Sequence, residues 1–320
     1  SLALLTLALT YSSDKLLSNN STNKDNQMNN NMGSENVTYK GAEEITKDTT
    51  VSSGEYESTN SDENAILVSG DITSSLSNIT VTKKGDSTSA DGSSFYGNNS
   101  AILAKSGATL TLDNINVTTS SNGANGVFSY GGSATTNNSN SDGTNVTISN
   151  SKITTTGDNA GGIMTTGGGK TTANNLTINT SGTSSAAIRS DRGGGTVTVN
   201  KGTYTTAGTG SPSIYSTADI TVNNATLVSK ASEGIVIEGK NKVTINNTKL
   251  TDSNTKLNGQ STTYKNIFLY QSMSGDASTG TAEFTSKNSD IVTNNGDTFY
   301  VTNTTATINL TNNKITNNDS

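Results

Sequence analysis

Residues 64–67 read NAIL, a small residue followed by an apolar anchor and a bulky side chain, and eight later stretches repeat this order. The full set is 64–67 NAIL, 100–103 SAIL, 125–128 NGVF, 161–164 GGIM, 186–189 AAIR, 212–215 PSIY, 233–236 EGIV, 265–268 KNIF and 297–300 DTFY. The anchors are therefore Ile66, Ile102, Val127, Ile163, Ile188, Ile214, Ile235, Ile267 and Phe299, at intervals of 21 to 36 residues. Self-similarity on this scale is the signature of a solenoid, in which each repeat adds one turn to a continuous core.

A second pattern lies between the anchors and predicts a corner. An apolar residue is followed by any residue, then Asn, two more residues and a second apolar residue, as in Leu76, Asn78 and Val81. The same spacing recurs around Asn114, Asn150, Asn224, Asn247 and Asn312, and Lys201 takes the Asn position in one turn. The alternation of a strand breaks at this step. Because Asn tolerates the left-handed backbone conformation and stacked Asn side chains can bond between turns, we expect a ladder of Asn corners.

Each repeat therefore predicts a strand, a loop, a second strand, an Asn corner and a third strand. This is the layout of an all-β protein, a right-handed parallel β-helix of about ten turns, counting one imperfect turn before Ile66. The alternative is a β-sandwich of hairpins, which needs tight turns at a regular spacing of about 8–12 residues. The intervals here vary too widely for hairpins, and the variation falls in loops, as solenoids tolerate.

The N-terminal residues divide the chain into three predicted parts. Residues 1–11 (SLALLTLALTY) read as the apolar core of a secretion signal without its basic start, with a short buried helix as the alternative. Residues 12–44 are rich in Asn and Ser without periodicity, which predicts a flexible tether. Residues 45–320 carry the β-helix, and a strand pattern that runs to the last residues predicts a continuation beyond them. The apolar stretch is too short for a transmembrane helix, so we expect a protein that is secreted or displayed at the cell surface.

Charge and composition exclude several classes of ligand and of catalytic site. The formal net charge is −6, which disfavours a phosphate-binding surface and hence nucleic acid as a partner. The chain has no Cys and no His, which excludes thiolate and imidazole catalysis as well as the common zinc sites. No cofactor is predicted, and any metal site would consist of oxygen ligands alone.

The residue after each anchor forms a second column, the outward column, which strand alternation directs away from the core. Its members are Leu67, Leu103, Phe128, Met164, Arg189, Tyr215, Val236, Phe268 and Tyr300. A solvated sheet face is seldom this apolar, and strands with two apolar faces are usually covered on both. Two interpretations stay open. Either loops or another segment cover the column, or its aromatic rings form a ligand face that stacks on sugar rings or a partner protein.

The two arginines of the chain lie in one turn, within 186–195 AAIRSDRGGG, and flank Asp191. Two guanidinium groups beside a glycine run suit a carboxylate, sulfate or phosphate ligand, whereas the alternative is an internal Arg–Asp pair that holds the turn. The candidate ligand-binding residues are Phe128, Met164, Arg189, Asp191, Arg192, Tyr215, Phe268 and Tyr300. No catalytic or metal-binding residue is predicted.

Three segments carry a resemblance to a known family: 186–195 AAIRSDRGGG, 215–227 YSTADITVNNATL and 268–276 FLYQSMSGD. From about Val37 onward the chain resembles the β-helical, adhesin-like secreted proteins and lipoproteins of gut-type Gram-positive bacteria. The resemblance implies a pectin-lyase-like fold and export to the cell surface, with no assigned biochemical role and no catalytic residue to carry over. A lipoprotein signal would place Cys where this chain has Tyr11, so lipid attachment is not implied.

The leading functional hypothesis is a secreted or cell-surface, adhesin-like binding or structural protein. Its expected partner is a glycan or a host or cell-surface protein, and the expected contact surface is the outward column from Phe128 to Tyr300. The alternative is a polysaccharide-active lyase or hydrolase on the same face, with Arg189 or Arg192 as base and Asp191 as acid or calcium ligand. Such an enzyme needs several carboxylates, and the outward positions supply few. No oligomeric state is predicted.

Overall fold

The computed structural model describes residues 37–133, 140–259, 261–272 and 274–319. Within these ranges the chain forms 28 strands, which stack in parallel with the strands of neighbouring repeats. The stacked strands make a parallel β-helix of ten coils, so the predicted fold class is confirmed. Over the same ranges, no helix has the length and apolar character that a membrane crossing requires.

Each coil contributes one strand to sheet A, one to face B and one to face C. Sheet A contains β1 (Lys40–Ile45), β4 (Glu63–Ser69), β7 (Ile102–Lys105), β10 (Val127–Tyr130), β13 (Ile163–Thr166), β15 (Ile188–Ser190), β17 (Ile214–Ser216), β20 (Ile235–Glu238), β23 (Lys265–Tyr270) and β26 (Asp297–Thr302). Face B contains β2 (Thr49–Val51), β5 (Thr73–Ser77), β8 (Thr109–Asp113), β11 (Asn145–Ser149), β14 (Gly169–Thr180), β16 (Gly195–Thr206), β18 (Asp219–Asn223), β21 (Lys242–Asn246), β24 (Ala282–Lys287) and β27 (Ala306–Thr311). Face C contains β3 (Gly54–Ser58), β6 (Ile79–Lys83), β9 (Asn116–Thr119), β12 (Lys152–Thr155), β19 (Thr226–Ser229), β22 (Lys249–Asp252), β25 (Asp290–Thr293), β28 (Lys314–Asn317) and the second halves of β14 and β16. Because β14 and β16 continue around the corner, faces B and C form one hydrogen-bonded sheet.

The anchors form one inward column, as predicted. In sheet A each anchor is the register partner of the next, from Ile66 beside Ile102 to Ile267 beside Phe299. The anchors from Ile66 to Ile267 are at most 1 % exposed, and they pack with inward apolar residues of faces B and C in a single core. A coil needs only a few such residues, which is why a chain with 29 % hydrophobic residues can hold a continuous core.

The corner between faces B and C has the left-handed backbone that the Asn pattern predicted. Asn78, Asn114 and Asn150 have φ of 57°, 50° and 52°, and Lys201 takes the same conformation with φ of 64°. Asn114 Nδ2 donates to Asn78 Oδ1 over 2.7 Å, and Asn175 Nδ2 donates to Asn150 Oδ1 over 3.1 Å. A second ladder, one position earlier in each coil, joins Asn174, Asn200, Asn223 and Asn246. The predicted side-chain ladder is therefore present, and it ties successive coils together.

The β-helix begins at Lys40, where β1 starts, rather than at Ile45 as the sequence pattern predicted. β1 pairs with β4 along its length, with Lys40 beside Glu63 and Ile45 beside Val68. Most side chains of β1 are polar and exposed, so backbone hydrogen bonds rather than burial define it, and hydrophobic patterning misses it. The predicted secretion signal at residues 1–11 lies outside the described residues, as does the predicted tether before residue 37.

Candidate functional site

The outward column is continuous in the structure, and it is covered. Register pairs run through it from Leu67 beside Leu103 to Phe268 beside Tyr300. From Leu67 to Phe268 its members are at most 6 % exposed, whereas Tyr300 in the last coil is partly buried. The predicted site residues in this column are Phe128, Met164, Arg189, Tyr215, Phe268 and Tyr300. The structure therefore agrees with the first interpretation, in which the column is covered. The aromatic rings do not form an open face.

One end of the outward column is covered by a short helix, α1 (Ala90–Phe95), in the loop between β6 and β7. Ser89 caps the N-terminus of this helix with its side chain. Phe95 and Tyr96, at the other end, pack in one cluster with Phe128 and its apolar neighbours. Thr166 Oγ1 donates to the Phe95 carbonyl over 2.6 Å, which fastens the helix to sheet A. The helix thus shields the outer side of sheet A as the core shields the inner side.

The two arginines form internal ion pairs. Arg189 Nη2 lies 2.9 Å from Asp191 Oδ2, and both side chains are 3 % exposed. Arg192 Nη2 lies 3.3 Å from Asp276 Oδ1, across 84 residues of chain, and its guanidinium group stands 4.4 Å from the Phe95 ring centre. The Arg192 backbone N–H also donates to Asp191 Oδ1 over 2.8 Å. The structure therefore has the internal pair that the sequence left as an alternative to an anion site.

A buried carboxyl group, that of Glu238, lies in the same region of sheet A. The Tyr215 hydroxyl donates to one of its oxygens and the Ser272 hydroxyl to the other. The Tyr270 hydroxyl is 3.4 Å from Glu238 Oε2. Burial, followed by the nearby Asp276 carboxylate, raises the pKa of Glu238 from 4.5 to about 7, against the lowering by the hydroxyl hydrogen bonds. This side chain therefore changes charge near neutral pH.

The ion pairs and Glu238 make up one buried polar cluster, which sequence reasoning found only in part. Burial also raises the pKa of Asp191, with the Arg189 guanidinium as the main opposing influence. Ser272 and Asp276 belong to the segment after β23, so the cluster holds that segment against sheet A. Asp276 is the last residue of 268–276 FLYQSMSGD, but nothing in its spacing pairs it with Arg192.

A polar groove opens beside this cluster, next to face B, and it is the candidate functional site. Its volume is about 1200 Å³, and its lining runs through five consecutive coils from Gly168 to Glu283, with Ser141 added from the preceding coil. Neighbouring coils are ~4.8 Å apart, so the groove is roughly 20 Å long. Residues 193–195 are all glycine because neighbouring coils approach them closely: a Cβ would lie 2.6 Å from the Thr217 carbonyl oxygen at Gly194 and 2.1 Å from the Gly169 carbonyl oxygen at Gly195. Thr217, which also lines the groove, joins it to the buried cluster because Thr217 Oγ1 donates to the Asp191 carbonyl over 2.9 Å.

The charged side chains that line the groove balance one another. Lys242 Nζ lies 3.5 Å from Asp219 Oδ2, and both side chains are nearly half exposed. Glu283 is the register partner of Lys242 in the next coil, and Lys240 also lines the groove. Two lysines thus face two carboxylates, while the remaining lining is mainly hydroxyl and amide groups and glycine. The arrangement suits hydrogen bonding to an uncharged polar ligand.

The predicted site and the groove meet at one point, the turn that carries Arg192 and the glycines after it. The sequence signal for the groove was the glycine run, whereas Asp219, Lys242 and Glu283 sit at the start of face B strands and share no motif. No protein-family model matches this chain, and a comparison with curated proteins finds no relative. Function is therefore inferred from the site alone, and the family resemblance stays a prediction.

Proposed function

We propose that this chain is an adhesin-like binding protein of the cell exterior, and that the polar groove beside sheet A holds an extended, uncharged glycan. The observation that carries the proposal is the groove itself, which is long, open, lined by hydroxyl, amide and balanced charged groups, and floored in part by glycine. The apolar stretch at residues 1–11 and the resemblance to exported β-helical proteins support a location outside the cell.

The shape and chemistry of the groove favour a polymer over a small ligand. A length of roughly 20 Å accommodates several linked sugars in a row, each with hydroxyl groups to pair. The lining has two lysines, Lys240 and Lys242, and two carboxylates, and this balance of charge favours an uncharged chain over an acidic one. Since hydrogen bonds exposed to water contribute only about 1 kcal/mol each, we expect weak binding by a single groove and retention through many copies.

A polysaccharide-active enzyme is the second hypothesis, and the geometry favours it less. Asp191 would have to reach a substrate as an acid or a calcium ligand, yet it is 2 % exposed and paired with Arg189. Arg192, the alternative base to Arg189, is engaged by Asp276. Turnover of a glycan that ceases on Asp191→Ala, in a protein that remains folded, would restore this hypothesis.

The test is retention of the purified chain on an array of neutral and acidic glycans, presented at high density. A Trp at Thr196, an exposed residue that lines the groove, fills the groove with an indole ring. We expect Thr196→Trp to lower retention on neutral glycans at least tenfold. The matched control is Thr118→Trp, because Thr118 is an exposed strand residue on face C.

Three results would contradict the proposal. Retention only on acidic glycans would argue against the balanced groove as the site. Equal losses in Thr196→Trp and Thr118→Trp would place binding elsewhere on the rod. An array on which no glycan retains the protein would favour a spacer or a protein-binding role.

A further inference from the structure

A column of polar side chains runs inside the β-helix, at the corner where face C leads into sheet A. It consists of the last residue of the face C strand in each coil, which points inward and is at most 3 % exposed from the first to the ninth coil. In order, these residues are Ser58, Lys83, Thr119, Thr155, Thr180, Thr206, Ser229, Asp252 and Thr293. We call this set the polar column, and it contains hydroxyl groups at every position except two.

Several hydroxyl groups of the polar column act as hydrogen-bond donors, whereas the buried Thr119 hydroxyl has no hydrogen-bond partner. Thr155 Oγ1 donates to the Ala160 carbonyl over 2.7 Å, and Ser229 Oγ donates to the Glu233 carbonyl over 2.8 Å. Each accepting carbonyl belongs to the turn that leads into the next strand of sheet A. The position therefore calls for a donor, because a carbonyl buried without one is costly.

The two charged members of the polar column differ in how they meet this requirement. Lys83 is a donor, and its Nζ bonds to Ser58 Oγ over 3.1 Å and to the Asn60 carbonyl over 2.6 Å. Asp252 is an acceptor when ionised, and neither of its carboxyl oxygens has a hydrogen-bond partner although the residue is fully buried. The backbone N–H groups of Asn254 and Gly234 lie near the carboxyl, but neither reaches hydrogen-bond geometry with its oxygens.

Two amide oxygens are in the same situation as the Asp252 carboxyl. Asn254 Oδ1 and Asn266 Oδ1 are buried and have no hydrogen-bond partner. Their Nδ2 groups are both used, because Asn254 donates to the Lys265 carbonyl over 3.1 Å and Asn266 donates to Thr293 Oγ1 over 3.0 Å. The two carboxyl oxygens of Asp252 and these two amide oxygens are therefore four hydrogen-bond acceptors without a donor.

Two of these side chains, Asp252 and Asn266, lie beside Gly234. Thr293, which receives the Asn266 amide, is the register partner of Asp252 in the next coil. The Gly234 backbone N–H donates to the Asn266 carbonyl over 2.8 Å, and a Cβ at Gly234 would lie only 2.3 Å from Asn266 Oδ1. Glycine is thus required where the Asn266 side chain approaches, and the same glycine adjoins the Asp252 carboxyl.

We propose that Asp252, Asn254 and Asn266 form an internal Ca²⁺ site in the eighth and ninth coils. Ca²⁺ takes about six to eight oxygen ligands from carboxylates, Asn side chains and backbone carbonyls in flexible geometry, whereas Mg²⁺ requires a strict octahedron and retains water. A divalent cation would supply the partner that these oxygens lack. The described residues have no group of three or more His, Cys, Asp or Glu side chains that could hold a metal ion, and this site instead combines the two oxygens of one carboxyl group with two amide oxygens.

The test is thermal unfolding of the EDTA-treated chain with added Ca²⁺, Mg²⁺ or Na⁺. At a Ca²⁺ concentration about 100-fold above the Kd, mass action predicts a rise in Tm of roughly 5 °C for a domain of this size. We expect a smaller rise with Mg²⁺ and none with Na⁺. Titration calorimetry should give one Ca²⁺ per chain.

The variant Asp252→Thr makes the test specific, since it restores the hydroxyl that the polar column has in most coils. We expect this variant to fold, to lose the Ca²⁺-dependent rise in Tm, and to bind no Ca²⁺ by calorimetry. Asp71→Thr, which changes an exposed carboxylate, should keep both responses. An equal Ca²⁺ response in Asp252→Thr would overturn the proposal, as would an unaltered chain that is indifferent to Ca²⁺.

Discussion

Replacing Glu238 with Gln removes one buried titratable group while keeping its shape. Glu238 is 1 % exposed, and the hydroxyls of Tyr215 and Ser272 donate to it. Burial and the Asp276 carboxylate raise its pKa from 4.5 to about 7. Gln can still accept a hydrogen bond at its carbonyl oxygen and donate at its amide, so the substitution changes the charge far more than the packing.

The sign and size of the effect follow from linkage between proton binding and folding. The folded chain keeps the Glu238 proton to a higher pH than the unfolded chain. Below about pH 4.5 the side chain is protonated in both states, so its ionisation does not lower the free energy of unfolding. As the pH rises from there to about 7, the free energy of unfolding falls, and above about pH 7 this loss stays constant. A pKa raised from 4.5 to about 7 corresponds to about 3 kcal/mol. We therefore expect Glu238→Gln to be more stable than the unaltered chain at pH 8, by up to about 3 kcal/mol, and about equally stable at pH 4.5.

Urea unfolding at pH 4.5 and pH 8, followed by far-ultraviolet circular dichroism, measures this difference. Asp191 and Asp252 also have raised pKa values, but they titrate in both proteins, so the comparison isolates Glu238. Glu283→Gln, which removes a partly exposed carboxylate from the lining of the groove, is the matched control for the loss of one acidic side chain. A stability difference between Glu238→Gln and the unaltered chain that is the same at pH 4.5 and pH 8 would refute the reasoning.

Three further predictions concern the core, the corner and the cover of sheet A. Ile188 lies in the middle of the fully buried anchor column, and Ile188→Ala leaves a cavity there. We expect urea titrations to show a free energy of unfolding that is lower by about 2–5 kcal/mol. A loss well below that range would mean that the coils can collapse around the cavity. Lys201→Asn should raise the free energy of unfolding by about 1 kcal/mol, measured by scanning calorimetry, because Asn tolerates the left-handed conformation that Lys201 adopts; a lower Tm would contradict this. Phe95→Ala should uncover the outward column, so we expect the fluorescence of a bound hydrophobic dye to increase while the far-ultraviolet dichroism stays the same. Unchanged dye fluorescence would show that another segment provides the cover.

The fold was predictable because its signals are local and repeated. An anchor such as Ile188 and a corner residue such as Asn150 each depend on a few neighbouring residues, and stacking places every copy in the same environment. Even the exception was visible, since Lys201 interrupts the Asn pattern in the sequence and adopts the left-handed corner in the structure. The start of β1 at Lys40 was not predictable, because its exposed polar residues carry no hydrophobic pattern.

The candidate site was predictable only in part. The sequence brought the outward column and both arginines to one strip of sheet A, and it left open whether the strip is covered. The partner of Arg192 is Asp276, which is 84 residues away, and no period of the chain relates the two. Asp252 looked like an ordinary polar residue at the end of a strand, until register placed it in an inward column of hydroxyl groups.

By itself, the sequence determined the β-helix, its anchor column and its Asn corners, since each arises from a pattern that every coil repeats. Only the tertiary structure decided that the outward column of sheet A is covered and where the polar groove opens. The physical reason is that α1 and the segment after β23 are single insertions without a repeating pattern, and they are held by contacts between distant residues such as Thr166 with Phe95 and Asp276 with Arg192.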